Sequence, residues 1–95
     1  MSAATPRVGT DDDRVRVTTW TFPASGASTG PHRHELDYVV VPVTGGRFVV
    51  TGPDGARRGT TQVAGEPYTG TAGTEHEVVS ASDGPAVFVE VELKG

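Results

Sequence analysis

Apolar and polar positions alternate with a period of two over much of the chain, and glycine and proline cut the alternation at short intervals. Val87, Val89, Val91 and Leu93 stand against Phe88, Glu90 and Glu92. This predicts a closing strand with one buried face and one that is wetter or lines a polar cavity. Arg14 to Phe22 predicts the first strand. There Val15 and Val17 lie on one parity and Trp20 and Phe22 on the other, which requires a bulge or two covered faces. Further extended segments are expected at His32–Val43, Arg47–Thr51, Ala56–Val63 and Glu75–Ser80. Between them lie the Ser/Gly/Pro loop Pro23–Pro31, the Gly45-Gly46 turn, Gly52-Pro53-Asp54-Gly55, the turn-rich stretch Ala64–Gly73 and Asp83-Gly84-Pro85. Short strands with such turns indicate a sandwich or barrel.

Composition supports an all-β chain. Val (15) and Thr (13) supply 28 of the 95 residues, and their β-branched side chains suit a pleated surface. The length fits one small domain, read as a flexible N-terminal arm over residues 1–13 and a β-barrel domain over residues 14–95. With no cysteine, neither disulfides nor thiolates can reinforce the core or hold a metal. The net charge of −4 argues against nucleic acid or an anionic membrane as partner. Neither a membrane-length apolar run nor a signal-like start is present, so a cytoplasmic location is expected.

The candidate chemistry rests on the three histidines. His32 and His34 are two apart on an extended segment, so both rings leave one face and can close on one ion. An isolated pair of this kind is commonly an exposed strand face. The frame around the pair changes that weighting. Gly26, His32, His34, Tyr38 and Gly45 follow one another at intervals of five, one, three and six residues. Gly65, Thr71, Gly73, His76 and Ser80 follow at five, one, two and three.

These spacings resemble the two signature motifs of the cupin superfamily, Gly-x5-His-x-His-x3-Glu-x6-Gly and Gly-x5-Pro-x-Gly-x2-His-x3-Asn. All three histidines fall on metal-ligand positions of that family. Residues 31–42 and 87–94 also resemble very small single-domain bacterial cupins, some of them named for β-alanine degradation. The resemblance implies a small jelly-roll β-barrel and one divalent metal ion per chain held by His32, His34 and His76. Iron is the first expectation, with zinc, nickel, manganese or copper fitting the same ligands. It implies further a small-molecule substrate or ligand, and a homodimer formed through an outer sheet. The activity expected is that of a metal-dependent oxygenase or of a Lewis-acid lyase or isomerase. A non-catalytic binding or sensor protein is the alternative, and a barrel with an empty histidine cluster a third.

Tyr38 stands where the family has its Glu ligand. It is a candidate catalytic residue, with a hydroxyl that orients water or substrate or acts as an acid; the competing reading is a packing aromatic. The carboxylates Glu35, Asp37, Glu75 and Glu77 have the wrong parity on regular strands to replace that Glu, and a bulge would bring any one of them into reach. Ser80, Glu90 or a backbone carbonyl could hold the far nitrogen of an imidazole. Trp20, Phe22, Phe48, Tyr68 and Phe88 are core or pocket wall. Arg16 and Arg47 could reach a substrate carboxylate, Arg57 and Arg58 are read as hairpin surface, and Ser28, within Gly26-Ala27-Ser28-Thr29-Gly30, is read as a loop serine.

Overall fold

The computed structural model describes residues 3–95. Nine strands make up the fold: β1 (Thr5–Asp11), β2 (Val15–Phe22), β3 (His32–Arg33), β4 (Tyr38–Pro42), β5 (Gly46–Thr51), β6 (Arg57–Gln62), β7 (Tyr68–Gly70), β8 (Glu75–Ser80) and β9 (Ala86–Leu93). They form two sheets, ordered β1-β2-β9-β4-β7 and β3-β8-β5-β6. Neighbouring strands are antiparallel throughout. No helix occurs among the described residues, so none is long and apolar enough to cross a membrane.

The core lies between the sheets. Phe22, Phe48 and Phe88 are almost fully buried and meet with ring centroids 5.2, 5.3 and 5.8 Å apart. Edge-to-face and tilted contacts of this kind favour the ring quadrupoles as well as removing apolar area from water. Val40, Val78, Ala27 and Ala86 fill the space around them.

β9 places its glutamates on the inner face. Phe88, Glu90 and Glu92 are buried, whereas Val87, Val89 and Val91 are half-buried on the outside. β2 answers in register, with Trp20 opposite Phe88, Thr18 opposite Glu90 and Arg16 opposite Glu92. Along β2, Val15 and Val17 lie half-buried on the outer face, while Trp20 and Phe22 face the interior. The ladder to β9 runs without interruption, and the bulge lies instead in β1, between Val8 and Thr10.

The expected flexible arm is corrected. Residues 1 and 2 lie outside the described residues, but Thr5–Asp11 forms β1, an edge strand hydrogen-bonded along β2. All seven of its residues are exposed, so backbone pairing rather than apolar burial holds it, and a composition-based reading misses that. Asp12 closes the hairpin: its Oδ1 accepts from the backbone N–H groups of Arg14 (2.8 Å) and Val15 (2.9 Å).

The extended segment expected over residues 32–43 is broken at 34–37, where the chain leaves the β3 sheet for the β4 sheet. The crossing is pinned by the turn before β8. The His34 N–H donates to the Thr74 carbonyl at 2.8 Å, and the Gly73 N–H donates to the His34 carbonyl at 2.7 Å. Gly73 sits at φ +92°, a conformation costly for a residue with a Cβ. Asp37 Oδ1 accepts from the Ala72 N–H at 2.8 Å and ties the same two segments together.

Candidate metal centre

The crossing brings the three histidines to one point. His32 faces His76 across the β3–β8 ladder, and His34 enters from the segment just after β3. Nε2 of His34 lies 3.1 Å from Nε2 of His32 and 3.1 Å from Nε2 of His76. At metal–nitrogen bonds of about 2.0–2.1 Å, two donors on one ion lie about 2.9 Å apart at a right angle and about 3.4 Å apart at the tetrahedral angle. The three rings stand nearly perpendicular to one another, at 82°, 78° and 90°. The donor set fits a divalent ion with open positions for other ligands.

The rings of His32 and His34 are held from behind. His32 Nδ1 lies 3.0 Å from the Gly30 carbonyl, and donation there leaves Nε2 with the lone pair a metal needs. The Trp20 indole stacks on His32 at 6.3 Å, and the Tyr38 ring stacks on His34 at 3.9 Å. Burial pushes His34 down to about 4, with His32 adding to the effect. Burial likewise brings His76 to about 4, helped by His32, His34 and Arg58. Both imidazoles are thus kept neutral, as ligation requires.

Among the carboxylates considered from sequence, Glu35 pairs with Arg33 on the surface and Asp37 holds the loop. Glu75 is exposed, and Glu77 accepts from the Ser28 hydroxyl. None of these four stands beside the histidines in a hydrogen bond or ion pair. Ser28 also accepts from the Gly30 N–H at 2.9 Å, so it organises the loop that carries His32.

The carboxylate at the site is Glu90. One oxygen accepts from the Trp20 indole N–H at 3.2 Å, and the other lies 3.7 Å from His34 Nε2. Burial raises its carboxyl to about 7, against the opposing Trp20 hydrogen bond. Its neighbour Glu92 binds the Arg16 guanidinium through both oxygens, at 2.8 and 2.9 Å, and this pairing lowers the Glu92 carboxyl. Sequence reasoning placed Glu90 only as a partner for an imidazole nitrogen; the signal that it faces inward is its shared parity with Phe88. Ser80 is buried away from the histidines, opposite Phe48. Arg16 is engaged with Glu92, and Arg47 is exposed.

Tyr38 has its phenol over Gly70, its cross-strand partner in β7; a Cβ at Gly70 would overlap the ring. Burial, with Glu90 second, raises its hydroxyl above the usual phenol value, so it remains an O–H donor. Tyr38, His76 and Glu90 border a cavity of about 400 Å³ between the sheets, walled by Val40, Phe48 and Val78. Arg58, expected on the hairpin surface, also lines this cavity.

Comparison with known proteins gives a consistent picture. No protein-family model matches the chain. It is 50% identical over 91 residues to the β-alanine degradation protein BauB of Pseudomonas aeruginosa, covering 96% of this chain and 94% of that one. A solved cupin domain from Bordetella pertussis is 45% identical with a TM-score of 0.93, covering 99% of this chain and 96% of that one. An RmlC-like cupin with a double-stranded β-helix fold from Methanocaldococcus jannaschii is 11% identical. It shares the fold at a TM-score of 0.78, covering 98% of this chain and 82% of that one. With the two-sheet barrel, the two motif spacings and the converging histidines, these likenesses show that the chain belongs to the cupin superfamily.

Proposed function

We propose that this cupin is a metal-dependent enzyme acting on a small organic molecule, with His32, His34 and His76 holding one divalent ion. The observation that carries this reading is the convergence of three Nε2 atoms at ligand separations, with His76 on the border of a cavity of small-molecule size. When bound, the ion supplies Lewis-acid polarisation or, if it is iron, dioxygen activation.

The chain's own residues supply the rest. Tyr38 keeps its proton and faces the cavity, so it donates a hydrogen bond to the bound molecule or protonates it. Glu90, with one oxygen fixed by Trp20, presents the other beside His34 and can exchange a proton with a molecule bound there. Phe48, Val78 and Phe88 exclude water from the apolar part.

The enzyme reading is tested by turnover on a panel of small molecules with iron under air and with zinc without oxygen. Product with iron and concurrent oxygen uptake assigns an oxygenase, and product with zinc alone assigns Lewis-acid chemistry. A ligand that raises the melting temperature yet gives no product with any metal would replace the enzyme with a binding protein.

We also propose that the chain works as a homodimer. On the outer face of the larger sheet, Val17, Val91 and Val39 align across β2, β9 and β4, with Val89 beside Val41. Such a row of apolar side chains suits burial against the same face of a second copy.

A further inference from the structure

We infer that the cavity between the sheets takes a small carboxylate, held at Arg58 while the other end of the molecule faces the histidines. The inference names the substrate class of the proposed metal site and rests on that reading for its orientation.

Toward its end β6 alternates: Arg57, Arg58, Gly59 and Thr61 are exposed, while Thr60 and Gln62 turn inward, and Gln62 is buried. Arg58, exposed at the start of β6, shares the parity of Thr60 and Gln62 and lines the cavity. Across the ladder it faces Val50.

Arg58 is also uncommitted. Arg16 is bound to Glu92, Arg33 to Glu35 and Lys94 to Asp11. Among the described residues no acidic side chain pairs with Arg58, and it is the one permanent cation lining this cavity. A guanidinium in this position offers a planar fork of N–H donors that matches a carboxylate.

Glu90 and His76 line the same cavity as Arg58, and the apolar Val50, Phe48, Val78 and Phe88 complete its wall. A short carbon chain with an anionic terminus at Arg58 suits both the guanidinium and the apolar wall.

The test is calorimetric binding of the straight-chain carboxylates from propanoate to hexanoate, each beside its primary amide, to metal-loaded protein and to its Arg58→Met variant. The wild type should prefer at least one carboxylate over its amide by about 10–100-fold, the range for one charge-assisted hydrogen-bonded contact. Arg58→Met should lose that preference at unchanged metal content. Equal binding of acid and amide, a preference that survives in Arg58→Met, or no carboxylate binding at millimolar concentration would overturn the inference. Failure of the metal reading is distinct, since it appears as protein that takes up no metal before any carboxylate is added.

Discussion

Tyr38 and His34 stack with ring centroids 3.9 Å apart and planes 21° from parallel, so the residue that replaces the family's carboxylate ligand braces a histidine from behind. The stacking and the hydroxyl are separable. Tyr38→Phe keeps the ring and should retain metal, while turnover falls by about 100-fold or more if the phenol supplies a proton in the transition state. Tyr38→Ala removes the brace and should also weaken metal binding by about 10–100-fold, as loss of an outer partner does. Metal content and kcat measured side by side check both.

Gly70 tests the same arrangement from the other side. A methyl there would overlap the Tyr38 ring, and overpacking of this kind costs about 1–3 kcal/mol. Gly70→Ala should lower the melting temperature by about 4–8 °C for each kcal/mol lost. Gly70→Ala combined with Tyr38→Ala should recover most of that loss relative to Tyr38→Ala alone. Thermal melts of the three variants decide it.

How much of this was legible in the sequence depends on which residues carried the information. The all-β class followed from Val, Thr and regularly spaced turns, and the histidine set followed from spacing that resembles two motifs. β1 was missed because an exposed edge strand is held by backbone hydrogen bonds, which leave no apolar pattern. Glu90 and Arg58 were underweighted for a related reason. A glutamate alternating with valines reads as the wet face, and only the pairing of β9 with both β2 and β4 turns that face inward. Arg58 is exposed on the hairpin, as read, and that it also lines the cavity follows from the parity it shares with Thr60 and Gln62, which the turn before it does not reveal.

Stability of the metal-free protein should depend on pH through four groups. His34 and His76 stay neutral in the fold down to about 4, whereas the unfolded chain protonates them near 6.5. Their contribution is therefore full above pH 6.5 and declines as pH falls toward 4. Glu92 adds to the loss at lower pH: its contribution is present above its unfolded value of 4.5 and disappears as pH falls through its lowered folded value. Glu90 acts in the opposite sense. Raised to about 7, it stabilises the fold fully below 4.5 and loses that contribution as pH rises through 7. The melting temperature should rise from pH 4.5 to 6.5, where two histidines outweigh one glutamate, and level off near pH 7. Glu90→Gln should steepen that rise, and melts across this range are the check.

The dimer is tested on the outer face. Val89 is half-buried there, on the side of β9 away from the histidines. Val89→Lys should convert a dimer to a monomer in light scattering while metal content stays the same. A wild-type chain that is monomeric at all accessible concentrations would refute the pairing.

The central claim is that His32, His34 and His76 hold one ion, and elemental analysis of protein purified without a metal-binding tag tests it most directly. The account predicts about one equivalent of a divalent metal per chain, lost in His76→Ala. No metal in the wild type, and none taken up on addition of iron, nickel, manganese, copper or zinc, would contradict it.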